Sequence, residues 1–93
     1  MLKIERTGQY ESMLVALYKE DIRLRKIIRE KVKLFRRNPD DTRLRNHPLT
    51  KKLKDRWAFS ITSDIRIVYR WIGKNVVRFL AIGPHRKVYK NLL

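Results

Sequence analysis

Apolar residues are spaced in two different ways along this chain, and the change falls at Asn38-Pro39. Before it, Tyr10, Met13, Leu14, Leu17 and Tyr18 recur with the period of about 3.6 that marks one face of a helix, and Leu24, Ile27, Ile28, Val32 and Phe35 repeat the pattern. After it, Trp57, Phe59 and Ile61 alternate with Ala58, Ser60 and Thr62, and Ile65, Ile67, Tyr69 and Trp71 alternate with Arg66, Val68 and Arg70. That period of about 2 belongs to strands. Helices followed by a run of strands define an α+β domain, with the helices packed on one face of a mainly antiparallel sheet.

The boundaries are written in turn chemistry. Leu2 and Ile4 alternate with Lys3 and Glu5, which predicts a short N-terminal strand broken at Thr7-Gly8. Lys19-Glu20-Asp21 interrupts the first helical pattern, and its acids favour the N-terminus of the second helix. The two helices, tightly linked, are expected to form a hairpin. Proline restricts the residue before it, so the second helix stops at Asn38. Pro39-Asp40-Asp41-Thr42 is a turn cluster, and Ser63-Asp64 and Gly73-Lys74-Asn75 separate a C-terminal three-strand meander. Val76–Ile82 is the most apolar strand and is expected to sit centrally, ending at Gly83-Pro84. Trp57 and Trp71 read as packing residues. Residues 1–93 form a single domain, without repeats or a linker.

Charge narrows the partners. A formal net charge of +15 on 93 residues points to a polyanion, with nucleic acid ahead of a membrane surface. An acidic protein that neutralises this surface is also expected. No apolar run approaches the roughly 18–20 residues of a membrane span, and the N-terminus lacks the apolar core of a signal peptide. The chain therefore reads as cytoplasmic, with no membrane partner. The absence of cysteine excludes disulfides and thiolate chemistry, and the scattered acids and histidines offer no metal-ligand spacing.

The stretch from Asn46 onward holds both histidines, His47 and His85. Its only acids are Asp55 and Asp64, and it is rich in cations: Lys51, Lys52, Lys54, Arg56, Arg66, Arg70, Lys74, Arg78, Arg86, Lys87 and Lys90. RNA can be cut without metal or cofactor when its own 2′-hydroxyl attacks the adjacent phosphate. That reaction needs a base, an acid and cations to hold the developing charge. Histidine suits the proton transfers and arginine the phosphate. His85, after the Gly-Pro break, is expected on an exposed loop at a sheet end, and His47 in a second loop. Lys51, Lys52, Lys54, Arg78, Arg86 and Lys87 are the candidate RNA-binding cations. The basic face of the second helix, Lys26, Arg29, Lys33, Arg36 and Arg37, is either a solvated face or a phosphate-tracking surface.

Four stretches in this order carry a family resemblance: His47-Pro48-Leu49 with Lys51-Lys52-Leu53-Lys54; Asp64 ahead of a strand; Arg66-Ile67-Val68-Tyr69; and Ile82-Gly83-Pro84-His85 with Val88-Tyr89. The chain resembles the RelE/ParE superfamily of type II toxins, and within it the YafQ-like mRNA interferases. The resemblance implies an endoribonuclease acting on mRNA in the ribosomal A site, without cofactor, and a cognate antitoxin partner. It assigns His85 to acid/base work, His47 to a second acid/base role or a substrate contact, Asp64 to a base or to orienting a histidine, Arg66 to the phosphate or transition-state charge, and Tyr89 to stacking on or positioning the substrate. Each has a structural alternative: a loop anchor for His47, a turn residue for Asp64, a surface histidine for His85, an ion pair with Asp64 for Arg66 and a core anchor for Tyr89. Ser60, Ile65 and Ala81 stand where YafQ-like proteins have a histidine, a tryptophan and an arginine. Trp57 and Phe59 lie near the positions of RelE's lysine pair. Two rival functions follow: a ParE-like, non-nuclease toxin acting on DNA gyrase, and a catalytically inactive RNA- or ribosome-binding module.

Overall fold

The computed structural model describes residues 1–90. Strand β1 (Lys3–Arg6) leads into helices α1 (Gly8–Glu20) and α2 (Leu24–Arg37). After 3-10 turns and a two-residue strand, β2 (His47–Pro48), come β3 (Trp57–Ser60), β4 (Ile65–Gly73), β5 (Val76–Pro84) and a short helix, α3 (His85–Lys90). The sheet order is β1-β5-β4-β3-β2; β1 runs parallel to β5 and all other neighbours are antiparallel.

Thr7 shows how sequence becomes placement. Its hydroxyl oxygen accepts the Tyr10 N–H at 3.1 Å, capping α1, and its own proton reaches the Phe79 carbonyl at 3.0 Å. Such a cap is worth about 1 kcal/mol, and here it also fixes α1 to β5. Asp21 closes α1 and accepts the Arg23 N–H at 3.0 Å, so the acids expected at the start of α2 lie just before it and its first turn holds none.

The core lies between the helices and one face of the sheet. Phe35 of α2 stacks on Phe59 at 4.2 Å and meets Tyr69 edge-on at 4.9 Å. Burying each of these rings contributes roughly 1.5–3 kcal/mol. Ile27, expected in this core, is 38% exposed, because the stripe that docks α2 runs through Ile28 and Phe35 and leaves Ile27 at its edge.

The meander is present, but the strand expected at the centre, β5, lies between β1 and β4, and β4 takes the middle. β5 also carries a bulge. Val68 pairs with Ala81, yet Tyr69 pairs with Phe79, leaving Leu80 unmatched. One extra residue reverses the faces that later side chains take. Val77 and Phe79 enter the helix-side core and Ile82 continues it, while Ala81 turns to the other face with Ala58, Val68 and Val88. Small side chains there make room for α3.

Candidate active site

The face of the sheet opposite α1 and α2 brings the candidate residues together. Ser60 of β3 pairs with Arg66 of β4, which pairs with Gly83 of β5. Arg66 donates from Nη1 to the Ser60 hydroxyl at 3.1 Å and from Nε to His85 Nδ1 at 3.0 Å. The His85 backbone N–H bonds to the Asp64 carbonyl at 3.0 Å, which fixes the start of α3 to the β3–β4 turn. One helical turn later, the Tyr89 ring meets the His85 ring edge-on at 4.6 Å. Burial pushes the Tyr89 phenol above its ordinary pKa, and the nearby Arg66 guanidinium opposes that shift.

His47 comes from the other side. Its Nδ1 lies 2.8 Å from the Arg45 carbonyl. Arg45 holds a left-handed backbone conformation, φ 51°, which is uncommon without glycine. His47, Leu49, Leu53, His85 and Tyr89 line one groove of about 390 Å³.

The partners define the neutral rings. A guanidinium only donates, so His85 Nδ1 accepts, and the neutral ring carries its proton on Nε2. A carbonyl only accepts, so His47 Nδ1 donates and Nε2 keeps its lone pair. The two imidazoles of one groove are thus held in opposite tautomers.

Other candidates fall elsewhere. The Asp64 carboxylate is exposed and has no ion pair or hydrogen bond among the described residues, so Arg66 is not its salt-bridge partner. Lys51, Lys52 and Lys54 are exposed on a 3-10 turn and its flank, next to the groove residues Thr50 and Leu53. Arg86 is exposed on α3, while Lys87 lines a cavity against Met13, Leu17 and Glu20 of α1. Arg78 sits toward the opposite end of β5 from His85 and pairs with Glu5 at 2.9 Å. Two sequence expectations change: His85 begins a helix rather than riding on a loop, and His47 lies in an edge strand. Residues 85–90 hold too few turns for periodicity to register a helix.

Sequence reasoning missed Ser60 and Arg45 as supports of the two candidate groups. Ser60 had shown itself only as a departure from a family pattern; nothing marked Arg45. Ala81 is fully buried among Val68, Val88 and Ala58, so no cation enters the groove from that position. No group of three or more His, Cys, Asp or Glu side chains suited to a metal lies among the described residues.

No protein-family model and no curated protein sequence matches this chain. Solved structures do. A metal-bound toxin from Helicobacter pylori is 26% identical, with a TM-score of 0.76 over 94% of this chain and 98% of that one. YafQ from E. coli strain BL21(DE3) is 20% identical, with a TM-score of 0.76 over 94% and 97%, and E. coli YafQ is also solved in complex with DinJ. A YoeB/ParE toxin from Agrobacterium tumefaciens is 21% identical, with a TM-score of 0.74 over 90% and 99%. The chain therefore has the RelE-like toxin fold. Within that fold, YafQ is among its structural neighbours, as the sequence resemblance implied.

Proposed function

We propose that this chain is the toxin of a type II toxin–antitoxin pair and an endoribonuclease that cuts mRNA in the ribosomal A site without metal or cofactor. The observation that carries the reading is that two imidazoles, His47 and His85, line one groove, with the Arg66 guanidinium hydrogen-bonded to His85. His47 Nε2 takes the proton of the 2′-hydroxyl. The 2′-oxygen bonds to the adjacent phosphorus as the bond to the 5′-oxygen breaks, and His85 Nε2 gives its proton to that leaving oxygen. The products are a 2′,3′-cyclic phosphate and a 5′-hydroxyl.

His85 is an effective acid only as the imidazolium, with both ring nitrogens protonated, and the bond from Arg66 forbids a proton on Nδ1. A substrate phosphate competes for the guanidinium. As Arg66 turns toward the phosphate, Nδ1 is freed to take a proton and the transition-state charge gains its cation. Tyr89 stacks on a base or holds the strand in line. Asp64, whose carboxylate makes no contact with His85 among the described residues, orients the substrate rather than the histidine.

The partner is an acidic antitoxin, in keeping with the charge of +15 and with a fold neighbour solved together with DinJ. A second reading, a non-cleaving RNA- or ribosome-binding module, is favoured by Ala81, which puts an apolar methyl where YafQ-like proteins have arginine. Mapping RNA ends in cells expressing the chain separates the two. New mRNA ends with 5′-hydroxyls are expected. Ends carrying 5′-phosphates, or no new ends during growth arrest, would overturn the nuclease reading.

A further inference from the structure

Beside the groove, and sharing no lining residue with it, the chain forms a concavity of about 250 Å³, lined by the polar residues Lys31, Arg43, Arg45, Ser60, Thr62 and Ser63 and by Ile61. We propose that it is a phosphate subsite, holding a backbone phosphate of the RNA next to the scissile one. This rests on the nuclease reading for its choice of ligand.

The lining residues come from separate elements: Lys31 from α2, Arg43 and Arg45 from the 3-10 turn and its exit, Ser60 from the end of β3, and Thr62 and Ser63 from the β3–β4 connection. The charges are unequal in availability. Arg43 is held by Asp41 through paired contacts at 2.9 and 2.8 Å, and Lys31 also acts on that carboxylate. Arg45 has no ion pair among the described residues. Three cations stand against one carboxylate, so the concavity is left cationic. The Thr62 hydroxyl accepts the Asp64 and Ile65 N–H groups at 3.2 and 3.0 Å. With its lone pairs engaged, its proton is free to donate. Several donors meeting from different directions suit a phosphate, which offers several acceptor oxygens, better than a single carboxylate.

The location ties the subsite to the groove. Ser60 lines the concavity and holds Arg66, while Arg45 lines it and holds His47 through its carbonyl. A phosphate seated there contacts the supports of both proton-transfer groups, so one residue's displacement along the strand would be felt at the reaction centre.

The test uses the full chain and Arg45→Asn, since asparagine tolerates the left-handed backbone and removes the charge. Nitrogen-edited NMR with inorganic phosphate should show saturable shifts at the Ser60–Ser63 amides and the Arg45 Nε–H, absent in Arg45→Asn. Shifts spread evenly over the basic surface and unchanged in the variant would overturn the subsite. With a short single-stranded RNA, Arg45→Asn should lower the slope of log affinity against log salt by about 0.7, one phosphate's worth. An unchanged slope would overturn it. So would a loss of binding confined to a glutamate-rich peptide, which would make the concavity a carboxylate site. Saturable phosphate binding in a chain that leaves RNA uncut would sustain the subsite while removing the nuclease reading.

Discussion

Arg66 Nε and His85 Nδ1 face each other at 3.0 Å, one residue on β4 and the other opening α3. This contact sets the protonation pattern of the His85 ring and withholds a guanidinium from the groove until something displaces it. Imidazole nitrogen NMR of the free chain should therefore show His85 Nδ1 as an unprotonated acceptor, and His47 with its proton on Nδ1. Arg66→Ala should release His85 to a mixture of tautomers and lower RNA cutting by roughly 10²–10³-fold. Arg66→Lys should restore little, because an ammonium cannot reproduce the two-pronged contact to Ser60 and His85. A protonated Nδ1 in the wild-type ring would contradict the assignment.

His47→Ala and His85→Ala should each reduce cleavage by about 10²–10⁴-fold, the range for general acid–base groups. Since both act in one step, the double variant should fall little below the weaker single one. Single-turnover cleavage of RNA, with thermal unfolding as a control for fold, measures this. Multiplicative losses would mean that the two histidines serve separate steps.

Asp64 does its structural work through its backbone, because the His85 N–H bonds to its carbonyl while its carboxylate stays exposed. Asp64→Asn should leave stability within about 0.5 kcal/mol of wild type. Any loss of cutting would then reflect the carboxylate's contact with RNA. A fall in unfolding temperature matching the loss of activity would refute this division.

Ala81→Arg, which installs the arginine of the YafQ-like pattern, should not raise RNA cutting. The side chain would enter a fully buried patch with Val68 and Val88. An unpaired charge placed there costs about 3 kcal/mol or more. Denaturant unfolding should show that loss; a variant as stable as wild type and more active would show that α3 can move aside.

The Arg43 contact lowers the Asp41 carboxyl from 3.8 to about 2. A carboxyl depressed in the folded state stabilises the fold fully above its unfolded pKa. That contribution is lost as pH falls from about 4 through 2. Asp41→Asn should flatten the stability profile in this window, the variant being less stable than wild type near neutrality and approaching it as pH falls toward 2. Unfolding midpoints across pH check it, and an equally steep acid limb in the variant would rule Asp41 out as its source.

Much of the fold was legible because periodicity reports burial. Phe35, Phe59 and Tyr69 could be placed in one core from spacing alone, and Thr7-Gly8 and Asn38-Pro39 bounded the helices through local chemistry. Alternation fails wherever the backbone inserts a residue, so the turning of Ala81 out of the core at the Leu80 bulge had no sequence signal. The candidate residues were visible as residue types; their wiring was not. That Ser60 holds Arg66, and that Arg45 sets the His47 tautomer, depends on cross-strand register and on one left-handed backbone angle.

The parallel pairing of β1 with β5, Lys3 opposite Val76 and Arg6 opposite Phe79, joins segments far apart in the chain. Closing so long a loop costs entropy before the contact repays it, and such pairings form late. During synthesis α1 and α2 emerge well before the sheet that covers their apolar faces. The nascent chain is therefore a pair of helices without a floor, of which α2 is basic and amphipathic, and the groove that joins β2 to α3 cannot exist until β5 has been translated. A cell making this chain thus has an interval in which a partner can meet the helices before the groove has been assembled.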